Sequence, residues 1–154
     1  MAEIKIGIVG SAGRMGSALV REITKSEGVR LVAAIETSAH PSLGKDAGLI
    51  AGIGELGVEI GHSAEELFSA VDCVIEFSGP GPTVEHAAYA ARRQVKHIIG
   101  TTGLDGDQEA ALLRAAGETQ IFWAPNMSMG VNVLLALVEK ASAALNEDFD
   151  AEVV

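Results

Sequence analysis

A single cysteine, Cys73, among 154 residues rules out an internal disulfide and any Cys-x-x-Cys metal site. It lies in the apolar run Val71 to Phe77, the setting of a small buried thiol rather than a nucleophile. Basic residues are also scarce: 11 Lys and Arg against 21 Asp and Glu leave a formal net charge of −10. Such a surface repels phosphate polyanions and argues against nucleic acid as a partner, although a ligand held by backbone amides escapes that objection. No apolar run is long enough to span a bilayer, and at Ile4 the chain enters a strand-like segment without the charged, apolar and small-residue succession of a secretion signal. The expectation is a cytoplasmic protein without membrane contact. Internal repeats and low-complexity tracts are lacking. None of His40, His62, His86 and His97 stands four residues from another, which gives a metal site no support; all four read as solvated or structural.

What is present suits one ordinary α/β domain. At this length about 70% of the unfolded surface is buried on folding, so the core needs no covalent staple. Hydrophobic residues at 48% and charged residues at 21% are globular values, and 18 glycines mark tight turns and places of close backbone approach.

The organising stretch is Ile4-Lys5-Ile6-Gly7-Ile8-Val9-Gly10-Ser11-Ala12-Gly13-Arg14-Met15-Gly16, a β-branched run ending in glycines three apart and followed by a helical pattern from Ser17 to Ile23. In such a strand, turn and helix, Gly10 lets the chain reverse, Gly13 lets the backbone approach a pyrophosphate, and Gly16 lets helix pack closely on strand. The phosphates then meet the helix N-terminus, where unpaired N–H groups and the dipole favour negative charge. Twenty residues past Gly16 the run Val29 to Ile35 ends in Glu36, a carboxylate placed for a ribose diol.

Beyond Glu36 the glycine-broken stretch Thr37 to Gly57 reads as a mobile loop with short helical or extended pieces. Val58 to Ile60 predicts a short strand, Ser63 to Glu66 a capping box opening a helix through Ala70, and Val71 to Phe77 a buried strand. Ser78 to Pro82 reads as a turn before a helix over Thr83 to Arg93. Strand His97 to Ile99, helix Asp105 to Ala116, strand Gln120 to Trp123 and a long apolar-faced helix Val131 to Leu145 follow, and Ala151 to Val154 opens a further strand. Alternating strands and helices predict a doubly wound, mostly parallel sheet with helices on both faces and a functional edge at the strand C-termini. Gly10 to Gly16, Phe77 to Pro80, Gly100 to Gly103 and Ala124 to Ser128 all fall at that edge. Residues 1–130 are expected to form the dinucleotide-binding domain, and 131–154 a connecting helix and first strand of a substrate and oligomerisation domain.

Val9 to Gly16, the Glu36 strand end, Ile99-Gly100-Thr101-Thr102-Gly103 and Ala124-Pro125-Asn126-Met127-Ser128-Met129-Gly130-Val131-Asn132 together resemble dihydrodipicolinate reductase, the 4-hydroxy-tetrahydrodipicolinate reductase of lysine and diaminopimelate synthesis. The likeness covers nearly the whole chain, and the G-T-T-G and N-M-S-x-G-V-N blocks are its most specific parts. It implies that Gly10, Ser11, Ala12, Gly13, Arg14 and Met15 hold the cofactor phosphates, that Glu36 holds the adenine ribose, and that Gly100, Thr101 and Thr102 contact the nicotinamide end. Ala124, Pro125, Asn126 and Met127 would close the same pocket, with Phe77 and Ser78 beside the cofactor. The substrate implied is a cyclic unsaturated dicarboxylate, reduced by hydride from NADH or NADPH and protonated by a histidine with a nearby lysine. That His-His-x-x-x-Lys-like block is expected beyond Val154, so no catalytic residue is assigned within the chain. A homo-tetramer is implied for the full-length family.

Thr37 stands where members often carry an arginine toward a 2′-phosphate, and Glu36 repels that group, so the lean is to NAD(H) with NADP(H) tolerated. Arg14 either compensates from the glycine loop or lies over the pyrophosphate or adenine. Two other classes compete with a reductase: a non-catalytic NAD(P)-sensing module, and an interaction protein using the helix Val131 to Leu145. The latter leaves Gly100 to Gly103 and Ala124 to Ser128 without a purpose.

Overall fold

The computed structural model describes residues 3–145, 149, 150 and 152. Six parallel strands form one sheet in the order β3-β2-β1-β4-β5-β6. They are β1 (Ile4–Val9), β2 (Val29–Ile35), β3 (Ile60–Gly61), β4 (Cys73–Glu76), β5 (Lys96–Ile99) and β6 (Ile121–Trp123). Between and after them run α1 (Arg14–Lys25), α2 (Ala47–Ala51), α3 (Ala64–Ala70), α4 (Pro80–Arg93), α5 (Gly106–Ala116) and α6 (Met129–Ala144). This is the doubly wound, Rossmann-like architecture expected from the alternation of apolar strands and helices.

Side-chain alternation along the strands divides the core in two. Ile6 and Ile8 of β1 pack with Val20 and Ile23 of α1 and with Ala47 and Ala51 of α2. On the opposite face Val9 and Val74 pack with Leu67 and Phe68 of α3 and Ala90 of α4. Gly7 belongs to that second face, where a Cβ would stand 3.1 Å from Leu67.

Local chemistry moved several boundaries. α1 begins at Arg14, three residues before Ser17, with Gly13 as an extended N-cap. α4 begins at Pro80 rather than Thr83. The first N–H groups of a helix have no intrahelical acceptor, so Pro80 and Pro82 in the opening turn cost no hydrogen bond. The stretch Thr37 to Gly57, read from sequence as a mobile loop with short helical or extended pieces, carries α2 and closes on Asp46. That carboxylate accepts from the amides of Gly48, Leu49, Leu56 and Val58 at 2.8 to 3.2 Å, and these bonds hold its pKa below the usual value. β3 is confined to Ile60–Gly61, with Glu59 bridging back to Asp46 instead of extending the strand. α6 starts at Met129, capped by Ser128, and all its residues are exposed, including Val131, Leu134, Leu135 and Leu137. The expected strand Ala151 to Val154 lies outside the described residues apart from Glu152.

Candidate functional site

Because every strand pairing is parallel, the C-terminal ends of all six strands share one edge of the sheet. Thr102 after β5 and Asn126 after β6 therefore lie on the same rim as Gly13 after β1. A cavity of about 650 Å³ opens along this edge beside β1, β2 and β4. Five of the residues singled out in the sequence line it: Gly10, Gly13, Glu36, Phe77 and Ser78. Its remaining wall includes Thr37, His40 and His62 near β2 and β3, and Gly79, Pro82, Glu85 and His86 on α4.

The three glycines of the first turn answer to different constraints. Gly10 has φ +77°, and a Cβ there would meet the Phe77 carbonyl at 2.5 Å. At Gly16 a Cβ would lie 2.1 Å from the Gly10 carbonyl, so α1 could not close on the turn. Gly13 is under neither constraint: its φ of −70° and ψ of 172° suit any residue, and the nearest atom to a Cβ is the Gly10 carbonyl at 3.4 Å. What its missing side chain leaves open is the cavity that it lines. The steric economy at this position thus fits a ligand's close approach rather than a need of the fold.

The open donors at this end fall at the far end of the expected Gly10 to Met15 stretch and one residue past it. The amides of Gly10 and Ser11 donate to the Ile35 carbonyl, that of Ala12 to Glu36 Oε1 at 2.9 Å, and that of Gly13 to the Gly10 carbonyl. The Ser11 hydroxyl is also turned inward, onto the Ile35 carbonyl at 3.3 Å. The first helical bond runs from Ser17 N–H to the Gly13 carbonyl, and no side chain caps the end. Among the described residues the amides of Arg14, Met15 and Gly16 are left without a protein acceptor. Three such donors at the positive end of a helix dipole are suited to a diphosphate. The side chains of Arg14 and Met15 are exposed and do not line the cavity.

The β4 and β5 end of the edge is built from side chains. Phe77 covers Gly100 so closely that a Cβ there would fall 2.1 Å from its ring. Thr101 is buried, its hydroxyl accepting from the Ser78 amide at 3.4 Å and lying 2.8 Å from Thr83 Oγ1; its carbonyl accepts from Trp123 Nε1 at 3.0 Å. Thr102, Pro125, Asn126 and Met127 are exposed and Ala124 is half-buried, all outside the cavity wall. Asn126 Oδ1 accepts from the Ser128 amide at 2.8 Å, which shapes the turn into α6.

Behind this wall lies a feature that the linear sequence did not disclose. Glu76, at the end of β4, is fully buried between two histidines: His86 Nδ1 is 2.9 Å from Oε1 and His97 Nε2 is 2.8 Å from Oε2. Ser78 Oγ and Thr83 Oγ1 also donate to Oε1, the latter at 3.2 Å. Burial pushes the Glu76 pKa up, but the hydrogen bonds and charges of His86 and His97 outweigh it and hold the group at about 2. His97 Nδ1 is buried without a partner. The signal available in the sequence was a carboxylate following the apolar Cys73-Val74-Ile75 inside an expected buried strand, which must find partners on folding. Of the four histidines, His86 and His97 pair with Glu76, and His40, His62 and His86 stand in the cavity wall. Among the described residues no cluster of three or more His, Cys, Asp or Glu side chains is placed to hold a metal, and no helix is long and apolar enough to cross a membrane.

A parallel sheet with a bare-backbone helix opening at β1 and an acidic residue at the end of β2 defines a Rossmann-like domain of the kind that binds dinucleotides. The family model described as "Dihydrodipicolinate reductase, N-terminus" matches residues 4–127, and the chain belongs to that family. It is 48% identical over 155 residues to a 4-hydroxy-tetrahydrodipicolinate reductase of Chelativorans sp. (strain BNC1), covering 100% of this chain and 56% of that protein. A second relative, 4-hydroxy-tetrahydrodipicolinate reductase 1 of Mesorhizobium japonicum, is 45% identical over 148 residues, which are 96% of this chain and 54% of that protein. The chain thus spans about half the length of the curated relatives it matches. The dipicolinate-bound dihydrodipicolinate reductase from Paenisporosarcina sp. TG-14 superposes with a TM-score of 0.71 at 23% identity, over 92% of this chain and 54% of that one, and shows the same fold. The family implies a pyridine nucleotide as cofactor.

Proposed function

We propose that this chain is the cofactor-binding half of a reductase that transfers hydride from a nicotinamide cofactor to 4-hydroxy-tetrahydrodipicolinate, in diaminopimelate and lysine biosynthesis. The observation that carries this reading is Gly13, whose missing side chain opens the cavity at the end of β1, opposite the Glu36 carboxylate. A bound NAD(P)H supplies the hydride. The chain's own part is to bind and orient: the amides of Arg14, Met15 and Gly16 hold the diphosphate, Glu36 accepts from the ribose diol, and the segments Gly100 to Thr102 and Ala124 to Met127 close on the nicotinamide end. Fixing the reacting face within contact distance is where such a scaffold contributes most to the rate. None of the histidines is assigned to protonation, because His86 and His97 are committed to Glu76 and His40 and His62 stand by the β2 and β3 ends. Residues 1–130 form the nucleotide domain in this reading. The apolar surface of α6 belongs with the substrate and oligomerisation part of a cytoplasmic, tetrameric enzyme.

NADH is the preferred donor. Among the described residues no Lys or Arg lines the cavity, whose wall carries the carboxylates of Glu36 and Glu85, and Thr37 follows Glu36. A 2′-phosphate about 4 Å from Glu36 would meet roughly 1 to 4 kcal/mol of repulsion per unit charge, between the bulk-water and near-surface limits. The test is to titrate the chain with NADH and NADPH in parallel by calorimetry, and to assay the native gene product for NAD(P)H oxidation inhibited by dipicolinate. Absence of binding by either nucleotide would defeat the reading. NADPH binding about a hundredfold tighter than NADH, some 2.7 kcal/mol, would reverse the preference.

A further inference from the structure

The C-terminal ends of β4 and β5 are connected by a buried polar relay. Thr83 Oγ1, fully buried in the first turn of α4, lies 3.2 Å from Glu76 Oε1 and 2.8 Å from Thr101 Oγ1. One hydroxyl carries one hydrogen. That hydrogen serves either acceptor, Glu76 Oε1 or Thr101 Oγ1, so Thr83 stands between the carboxylate and Thr101 as their shared donor. The Ser78 amide donates to Thr101 Oγ1, and Ser78 Oγ donates to Glu76 Oε1. Ser78 and Thr83 thus each connect the Glu76 carboxylate with Thr101.

We propose that Thr83 is a positioning residue for the nicotinamide end of the cofactor site. Through its hydroxyl the β5–α5 segment at Thr101 is held in fixed register with the β4–α4 segment at Phe77 and Ser78. The relay spans three separate elements, β4, α4 and the turn after β5, and meets the cavity at Ser78. Phe77 lying over Gly100 marks the same junction, since those two segments can touch only in this register. The glycine loop and Glu36 form no hydrogen bond within the circuit, and the glycine loop meets the β4–α4 segment where Gly10 packs against the Phe77 carbonyl. The inference rests on the proposed dinucleotide site and assigns the relay to one end of it.

The experiment compares binding of NADH and of ADP, which has the adenosine and diphosphate but no nicotinamide, to the 154-residue chain and its variants by calorimetry. Thr83→Val keeps the shape and removes the hydroxyl. It is expected to weaken NADH about tenfold while ADP affinity stays within about twofold, and Thr83→Ser is expected to restore NADH binding. If Thr83→Val does not fold, Thr83→Ala removes the hydroxyl without setting a second methyl against the carboxylate, and the same comparison applies. NADH affinity unchanged in a folded variant overturns the proposal, as does a parallel loss of NADH and ADP, which marks a general softening of the domain. A wild-type chain that binds neither ligand overturns the cofactor reading and the relay with it; binding of both ligands by wild type leaves the variants to decide the relay alone.

Discussion

Three glycines in one turn should respond to the same substitution in three ways. Gly13→Ala adds a methyl at φ −70° and ψ 172°, an allowed conformation, with its nearest neighbour 3.4 Å away. Alanine is the poorer N-cap by roughly 0.5 to 1 kcal/mol, while restricting the unfolded chain returns about 0.4 to 1 kcal/mol. The two effects offset, and stability should remain within about 1 kcal/mol of wild type. Gly16→Ala instead drives a Cβ to 2.1 Å from the Gly10 carbonyl and 2.6 Å from Ser11 backbone atoms, which cannot rotate away. Moving backbone in a packed turn costs about 3 kcal/mol. Gly10→Ala combines a left-handed φ of +77°, about 1 to 2 kcal/mol for a side chain, with a 2.5 Å approach to the Phe77 carbonyl. Urea unfolding reads these differences, and calorimetry with NADH reads binding. Gly13→Ala should fold as wild type yet lose about tenfold or more in NADH affinity, some 1.4 kcal/mol, because the methyl stands where the diphosphate would approach. A Gly13→Ala protein that binds NADH as wild type, or unfolds as easily as Gly16→Ala, would refute this division of roles.

Removing the Glu36 carboxylate by Glu36→Ala should weaken NADH by about 1 to 3 kcal/mol through lost ribose hydrogen bonds and narrow the gap to NADPH, both read by parallel titration; unchanged affinities would take Glu36 out of the site. Glu76 should govern acid stability. Its folded pKa of about 2 lies below the unfolded value of 4.5, so its contribution is complete above about pH 5 and is lost as pH falls toward 2. A shift of this size corresponds to about 3 kcal/mol. Glu76→Gln should therefore unfold more readily than wild type at pH 7, and the difference should shrink between pH 5 and 2 in urea titrations. A constant difference across that window would show that the charge of Glu76 is not what stabilises the fold.

Most of the architecture was legible because local and tertiary demands agree. Val29 to Ile35 and Ala64 to Ala70 appear in the structure as their patterns predicted, since β-branched runs and a capped amphipathic turn specify their own ends. Boundaries failed where a residue type has two meanings. Gly79-Pro80-Gly81-Pro82 reads as a turn by composition, yet a proline in the opening turn of a helix gives up an N–H that had no partner there. Asp46 was invisible as an organiser because it accepts from amides on both sides of the loop, a closure that only three-dimensional proximity creates. The site divides along the same line. Its β1 and β2 end depends on backbone conformation and one strand-end carboxylate, which glycine spacing encodes directly. Its β4 and β5 end depends on residues 76, 83, 86, 97 and 101, brought together from separate elements by strand register and helix phase. A buried glutamate must recruit such partners or lose its charge, and each partner stands on an element that the nucleotide edge already requires. The carboxylate that the apolar strand could not leave unpaired therefore fixes how the loops above it meet.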